Sequence, residues 1–164
     1  MKLSDNFWLS EFTQSQTATR MGRTISPTNN EITQLRNLCQ QLLQPIRDHL
    51  TANIDSGIRM HISSGLRPVW LNKAIGGSKT SDHVFGRAAD WGISGAPEDY
   101  GLYETCLDIA SLDLPFDQLI FEGNRWIHTS WRSNPRKQIL TATFHRTAMG
   151  RRKTTYHRGL QRVA

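Results

Sequence analysis

The chain has 164 residues, 37% of them hydrophobic, with five Trp, six Phe and a formal net charge of +6. This composition excludes a disordered chain, and the length allows one compact core but not two ordinary domains, so residues 1–164 read as a single domain. No apolar run approaches the roughly 18 residues that span a bilayer, and MKLSDNFWLSEF lacks the apolar stretch of a secretory signal, so a soluble protein made in the cytoplasm, without membrane insertion, is expected.

Phe7, Leu9 and Phe12 lead into a polar segment, SQTATRMG, that predicts a short helix closed by Gly22 and acting as a lid or brace. Beyond the turn at Ser26 and Pro27, Thr28 with Glu31 three residues on has the form of a capping box. Ile32, Leu35, Cys39, Leu42, Ile46 and Leu50 follow at helical spacing, and Pro45 inside that pattern predicts a kink or an early end near Gln44. Ile58, Met60 and Ile62 alternate with Arg59, His61 and Ser63, the period of a half-buried strand that delivers Ser63 to Arg67 at its carboxyl end. Gly76 to Ser81, GGSKTS, predicts a loop in front of His83, and Arg87 to Trp91 a short strand.

A second helix is expected from Pro97 to about Ser111, with Leu102, Cys106 and Ile109 on one face and Pro115 stopping anything further. Strands are expected at Phe116–Glu122, Arg125–Trp131 and Lys137–Phe144. Strands clustered after helices, with short links and no alternating βα rhythm, argue for an α+β domain with a mainly antiparallel sheet and flanking helices. Cys39 and Cys106 each fall in an amphipathic helical pattern and read as buried reduced thiols rather than a disulfide. The basic character belongs to the end of the chain. Arg132 to Ala164 hold nine Lys or Arg and no acid, while the other eleven basic and fourteen acidic residues leave residues 1–131 at −3. Arg151, Arg152, Lys153, Arg158 and Arg162 suit nucleic acid, an acidic polymer such as cell-wall material or an anionic patch on a partner, against the plainer reading of a solvated surface.

The densest chemistry lies between Ser63 and Asp90, SSGLRPVWLNKAIGGSKTSDHVFGRAAD, and His128 in WIHTS joins it. Two imidazoles and one carboxylate make a three-ligand set that leaves one position on zinc open for water. His83 and Asp90 are seven apart, which puts them on one face of a helix but on opposite faces of a strand, and Gly86 between them weakens the helical option. His83 is therefore expected on a loop and Asp90 on the strand it enters. Trp126, His128 and Ser130 share one strand face. His49, His61, His145 and His157 have no partner pattern and read as ordinary histidines.

These motifs resemble the zinc D-alanyl-D-alanine carboxypeptidases and related peptidoglycan peptidases of the hedgehog/D,D-peptidase fold. The matching residues are Ser64-Gly65-Leu66-Arg67, Leu71-Asn72, Gly76-Gly77-Ser78, Ser81-x-His83-x-x-Gly86-x-Ala88-x-Asp90 and Trp126-x-His128. Phe116-Asp117-Gln118-Leu119-Ile120, Arg136-Lys137-Gln138 and the amino-terminal LSEF are similar to the compact, phage-associated branch. The resemblance implies one zinc ion held by His83, Asp90 and His128. It implies an acidic general base, for which Glu122 is the candidate and Asp117 the alternative. Those two would face opposite ways in one regular strand. Some relatives carry the acid three residues before the last histidine, where this chain has Arg125. Arg67 is similar to the family arginine that meets the substrate or the developing oxyanion, a task that suits a permanently charged fork of donors. Ser81 is expected to support substrate or a ligand's surroundings, with turn capping as its plainer role. Gly86 and Ala88 are expected to let the loop approach the metal, and Asn72 to be structural.

The expected activity is zinc-dependent hydrolysis of an amide bond in the peptidoglycan stem peptide, by a phage endolysin or virion-associated hydrolase acting at the bacterial cell wall. Stem peptides are then the partner, with other virion proteins as further partners, and nucleic acid is not expected. The alternative is a structural virion or binding protein that keeps the fold, with or without the metal, and does no hydrolysis, since fold alone does not fix function.

Overall fold

The computed structural model describes residues 1–150 and 152–163. The amino-terminal segment forms two short helices, α1 (Leu9–Phe12) and α2 (Gln16–Arg20), and Gly22 takes the left-handed conformation just beyond. Leu3, Phe7 and Phe12 are buried, and the Phe12 carbonyl accepts from the Leu66 N–H at 2.8 Å, so the segment braces the chain that leads to the site.

Helix α3 (Asn29–Leu38) opens with the predicted capping box. The Glu31 carboxylate accepts from the Thr28 N–H at 2.7 Å, and the Thr28 hydroxyl accepts from the Glu31 N–H at 3.3 Å. The early end expected near Gln44 does not occur. A π-helical turn over Cys39–Leu43 carries the chain straight into α4 (Gln44–Asn53), with the Gln44 N–H donating to the Cys39 carbonyl five residues back. Pro45 thereby falls in the first turn of α4, where its missing N–H costs nothing. The wider turn also sends both Leu42 and Leu43 inward, and both are fully buried.

Strand β1 (Arg59–Ser64) precedes α5 (Val69–Ala74), and β2 (Ala88–Ser94) follows a single 3-10 turn at Asp82–Phe85. Helix α6 (Leu102–Ser111) starts later than Pro97, because Pro97 to Tyr100 form a separate turn and Gly101 is the cap, its N–H donating to Glu104 at 3.0 Å. Strands β3 (Phe116–Glu122), β4 (Trp126–Trp131) and β5 (Gln138–Arg146) fall where the alternation places them. A sixth strand, β6 (Arg152–Arg158), lies in the basic segment that the sequence reading treated only as charge. Thr154, Thr155 and Tyr156 were its available signal, β-formers among the cations.

The sheet order is β1-β2-β4-β3-β5-β6, antiparallel throughout except for the parallel β3–β5 pair. This is the α+β architecture expected, and it accords with a D-Ala-D-Ala peptidase-like fold. The two faces of the sheet have different duties. Ala89, Trp91, Leu119, Phe121 and Ile127 point into the main core with Leu35, Leu38, Leu42, Ile46, Leu50, Cys106 and Ile109 of the helices. The alternate residues point away from the helices, and among them only Ile120, Leu140 and Ala142 form a small second apolar cluster. Cys39 and Cys106 are free thiols, and burial pushes both well above the ordinary thiol range. Among the described residues no helix is long and apolar enough to cross a membrane.

Candidate metal centre

The cross-strand register assembles the site on the face away from the helices. Asp90 of β2 lies directly opposite His128 of β4, and His128 opposite Ile120 of β3. That alignment is set partly by the β3–β4 hairpin, whose three connecting residues, Gly123, Asn124 and Arg125, include two with positive φ, Gly123 (57°) and Asn124 (55°). The Arg125 N–H closes the turn on the Glu122 carbonyl at 3.0 Å, and Glu122 faces Trp126 across it. On the other side, a bulge between Ile62 and Ser64 in β1 brings Ser64 rather than Ser63 opposite Asp90. Ser64 then accepts from Arg67 Nε at 2.8 Å.

His83 arrives on the 3-10 turn rather than on an irregular loop. Gly86 ends that turn in the left-handed conformation, φ 69°, and a Cβ there would stand 2.9 Å from the Glu31 carbonyl. The space that Gly86 makes is thus toward α3, not toward the metal site as expected, and Ala88 is simply buried at the start of β2. Asp82, next to His83, is buried and gripped by Arg132 through Nε and Nη2 at 2.9 to 3.2 Å. This pair fastens the turn that carries His83 to the end of the strand that carries His128.

The donor atoms converge. His83 Nε2 is 3.1 Å from Asp90 Oδ1 and 3.2 Å from His128 Nδ1, and His128 Nδ1 is 2.8 Å from Asp90 Oδ1. Donors about 2.0–2.1 Å from a tetrahedral zinc ion stand about 3.3 Å from one another, so this triangle fits that ion. Two nitrogens and one oxygen are also the donor types zinc takes in sites that keep a position open for water. The surroundings orient two of the three donors. His83 Nδ1 donates to the Gly65 carbonyl at 2.7 Å, which directs Nε2 at the site. Asp90 uses Oδ1 toward the imidazoles, while its Oδ2 accepts from Arg67 Nη2. Burial lowers the His83 pKa and favours the neutral imidazole that can ligate. Burial works against the charge on Asp90, but the two imidazoles beside it hold its carboxyl well below the usual range.

The three residues stand at the side of an open cleft of about 800 Å³ that Arg67, Ser81, Glu122 and Trp126 also line. Ser81 makes no cap to the 3-10 turn, so its hydroxyl is not consumed there. Burial, and then the negative charge of Asp90, push the Glu122 pKa from 4.5 up to about 7, while a hydrogen bond from the Trp126 side chain acts in the opposite sense. Asp117, the other acid considered, occupies a bulge in β3 and is fully buried. It accepts from Arg136 N and Nε at 2.9 to 3.1 Å and pairs with Arg132 at 3.3 Å, which spends its oxygens on structure. Asn72 is structural as expected, its amide donating to the Ser78 carbonyl at 2.8 Å. The other four histidines stay outside the cleft.

Gln118, Gln138 and Tyr156 line the cleft as well and were not anticipated, and Arg158, expected only as one of a basic cluster, lines it too. Strand parity marks Gln118 as a partner of Glu122, but the β5 and β6 residues become visible only once the strand order is known.

A family model for Peptidase M15 matches residues 5–130. The chain belongs to the Peptidase M15 family. Members are zinc metallopeptidases, and the match takes in His83, Asp90, His128, Arg67, Ser81 and Glu122 of this M15 peptidase while ending short of β5 and β6. No curated protein matches the chain.

Proposed function

We propose that this M15 peptidase is a zinc enzyme that hydrolyses an amide bond in the stem peptide of bacterial peptidoglycan, in the manner of a phage endolysin or virion-borne wall hydrolase. The observation that carries the reading is the convergence of His83 Nε2, Asp90 Oδ1 and His128 Nδ1 within 3.2 Å of one another beside an open cleft. The phage context rests on the likeness of the LSEF, Phe116–Ile120 and Arg136–Gln138 stretches to the compact branch.

In this reading His83, Asp90 and His128 hold the zinc ion. When bound, zinc would supply the Lewis acidity that activates a water and polarises the scissile carbonyl. Glu122 takes the proton from the attacking water on a carboxylate oxygen and returns it to the leaving amine, and its raised pKa suits a group that must both accept and release near neutrality. Arg67 is anchored by Ser64 and Asp90, so its remaining N–H groups are positioned to meet a substrate carboxylate or the oxygen that gains charge during attack. Ser81 offers a hydroxyl to the bound peptide from the cleft wall.

The rival, a binding protein that retains the fold without hydrolysis, draws on Arg125, which stands where some relatives carry the acid and lies over the Phe144 ring at 5.2 Å. Incubating the protein with purified muropeptides, with and without a chelator, and weighing the products decides between them. Two fragments whose masses sum to that of the muropeptide plus one water, absent with chelator and restored by zinc, are the expected result and also name the bond. Intact muropeptides after incubation with the zinc-loaded protein would refute the peptidase reading.

A further inference from the structure

Beyond the metal-centre residues, the same sheet face continues onto β5 and β6, outside the matched residues 5–130. One row of facing residues runs Asp90, His128, Ile120, Leu140, Arg158, from β2 across to β6. Residues directly opposite one another in a sheet point to the same side, so Arg158 shares a face with the metal centre. The neighbouring row runs Trp126, Glu122, Ala142, Tyr156. Ile120, Leu140 and Ala142 form an apolar floor between the two ends. Next to the main cleft lies a smaller hollow of about 330 Å³, lined by Arg136, Gln138, Ile139, Leu140 and Arg158. Its charged residues are two arginines, and no acid lines it.

The cations of this region differ in how far they are already engaged. Arg132 is held by Asp82 and Asp117, and Arg136 by Asp117. Arg158 is exposed and has no ion pair among the described residues. A guanidinium free of a carboxylate, above an apolar floor and beside a second half-exposed guanidinium, suits a planar anion gripped by paired hydrogen bonds. Distance restricts where that anion sits. Arg158 is three strands from His128, roughly 14 Å at about 4.8 Å per strand, and an extended peptide advances about 3.4 Å per residue. Once the length of the arginine stem is taken off, the anion lies two or three residues from the scissile bond.

We infer that the hollow between β5 and β6 is a carboxylate subsite in which Arg158, assisted by Arg136, selects acidic peptides carrying a carboxylate two or three residues from the bond that is cut. The inference rests on the peptidase reading for the location of that bond, but it makes a prediction about binding that needs no turnover. Tyr156, two residues before Arg158 on the same face, closes the cleft beside Glu122 and is placed to pack on the peptide between the two sites.

The test is a comparison of purified stem peptides with the same peptides amidated at their internal carboxylates, the terminal carboxylate left free, by titration calorimetry on metal-free protein. The wild type is expected to bind the native peptides about tenfold more tightly than the amidated ones, a preference that weakens with salt. Arg158→Gln is expected to lose the preference by weakening the native peptides alone, and Arg158→Lys to keep part of it. Equal binding of native and amidated peptides by the wild type, or a preference untouched in Arg158→Gln, would overturn the subsite. Stem peptides left uncut by the zinc-loaded wild type would instead overturn the peptidase reading, so the two failures are distinguishable.

Discussion

On the β2–β4–β3 side of the cleft the polar groups are buried, backed by helices and tied to one another, whereas on the β5–β6 side they are exposed and stand over a thin apolar floor. His83 and Asp90 are each under a tenth exposed and each has an orienting neighbour, while Tyr156 is 55% exposed and Arg158 has no ion pair among the described residues. The contrast follows from what each region must do. Holding a cation demands donors fixed to a fraction of an ångström, which only a packed, cross-linked setting provides. Recognising a peptide rewards charged side chains that can still move and reach. The proposed chemistry therefore sits where the family match lies, and the candidate specificity wall sits beyond it.

Breaking the packed side should cost the most. His83→Ala or Asp90→Ala is expected to abolish both zinc binding and hydrolysis of purified sacculi, read by metal analysis and by peptide release; full activity in either variant would contradict the ligand assignment. Glu122→Gln should lower kcat by about 10²- to 10⁴-fold while leaving the zinc content at one ion, because it removes proton transfer and not a ligand. The same residue sets a pH signature. A base works only when ionised, so activity should fall as pH drops through the Glu122 pKa, at a midpoint between the ordinary 4.5 and about 7, with the zinc charge pulling it down within that window. A midpoint below 4.5 would show that another group carries the proton.

Asp82→Ala frees the turn that carries His83 from Arg132, and a zinc affinity lower by about 10- to 100-fold is expected in a competition titration. Unchanged affinity would mean that this pair does not position the donor. The smallest effect is expected from Gly86→Ala, where the left-handed φ and the 2.9 Å approach to the Glu31 carbonyl should cost about 1–3 kcal/mol in denaturant unfolding. Its activity per folded molecule should barely change, whereas a variant on the exposed side such as Tyr156→Phe should leave stability alone.

How much of this was legible in the sequence depended on whether the signal was local. The capping box at Thr28 and Glu31 and the alternation in β1, β3 and β4 are written in short spacings, and each folds as its spacing implies, whereas His128, 38 residues beyond Asp90, joined the trio through the family resemblance. Of the kink or early end expected at Pro45, the early end does not occur because a π turn absorbs the proline, and nothing in the periodicity announces the extra residue. Glu122 and Asp117 could not be separated from parity alone, since a bulge at Asp117 and two arginines from a later segment decide its fate. Tyr156 as a cleft residue, and the place of Arg158 beside the metal centre, were invisible for a different reason. Their relation to His128 passes through three strand pairings, one of them parallel, and strand order is a long-range property that composition does not carry.

The central claim is that three side chains from distant stretches of chain hold one zinc ion. X-ray absorption at the zinc edge on the metal-loaded protein tests it directly. The account predicts two imidazole nitrogens and one carboxylate oxygen at about 2.0–2.2 Å, with the spectrum collapsing to that of free zinc in His128→Ala. A sulfur-containing shell, or a spectrum unchanged by His128→Ala, would contradict it.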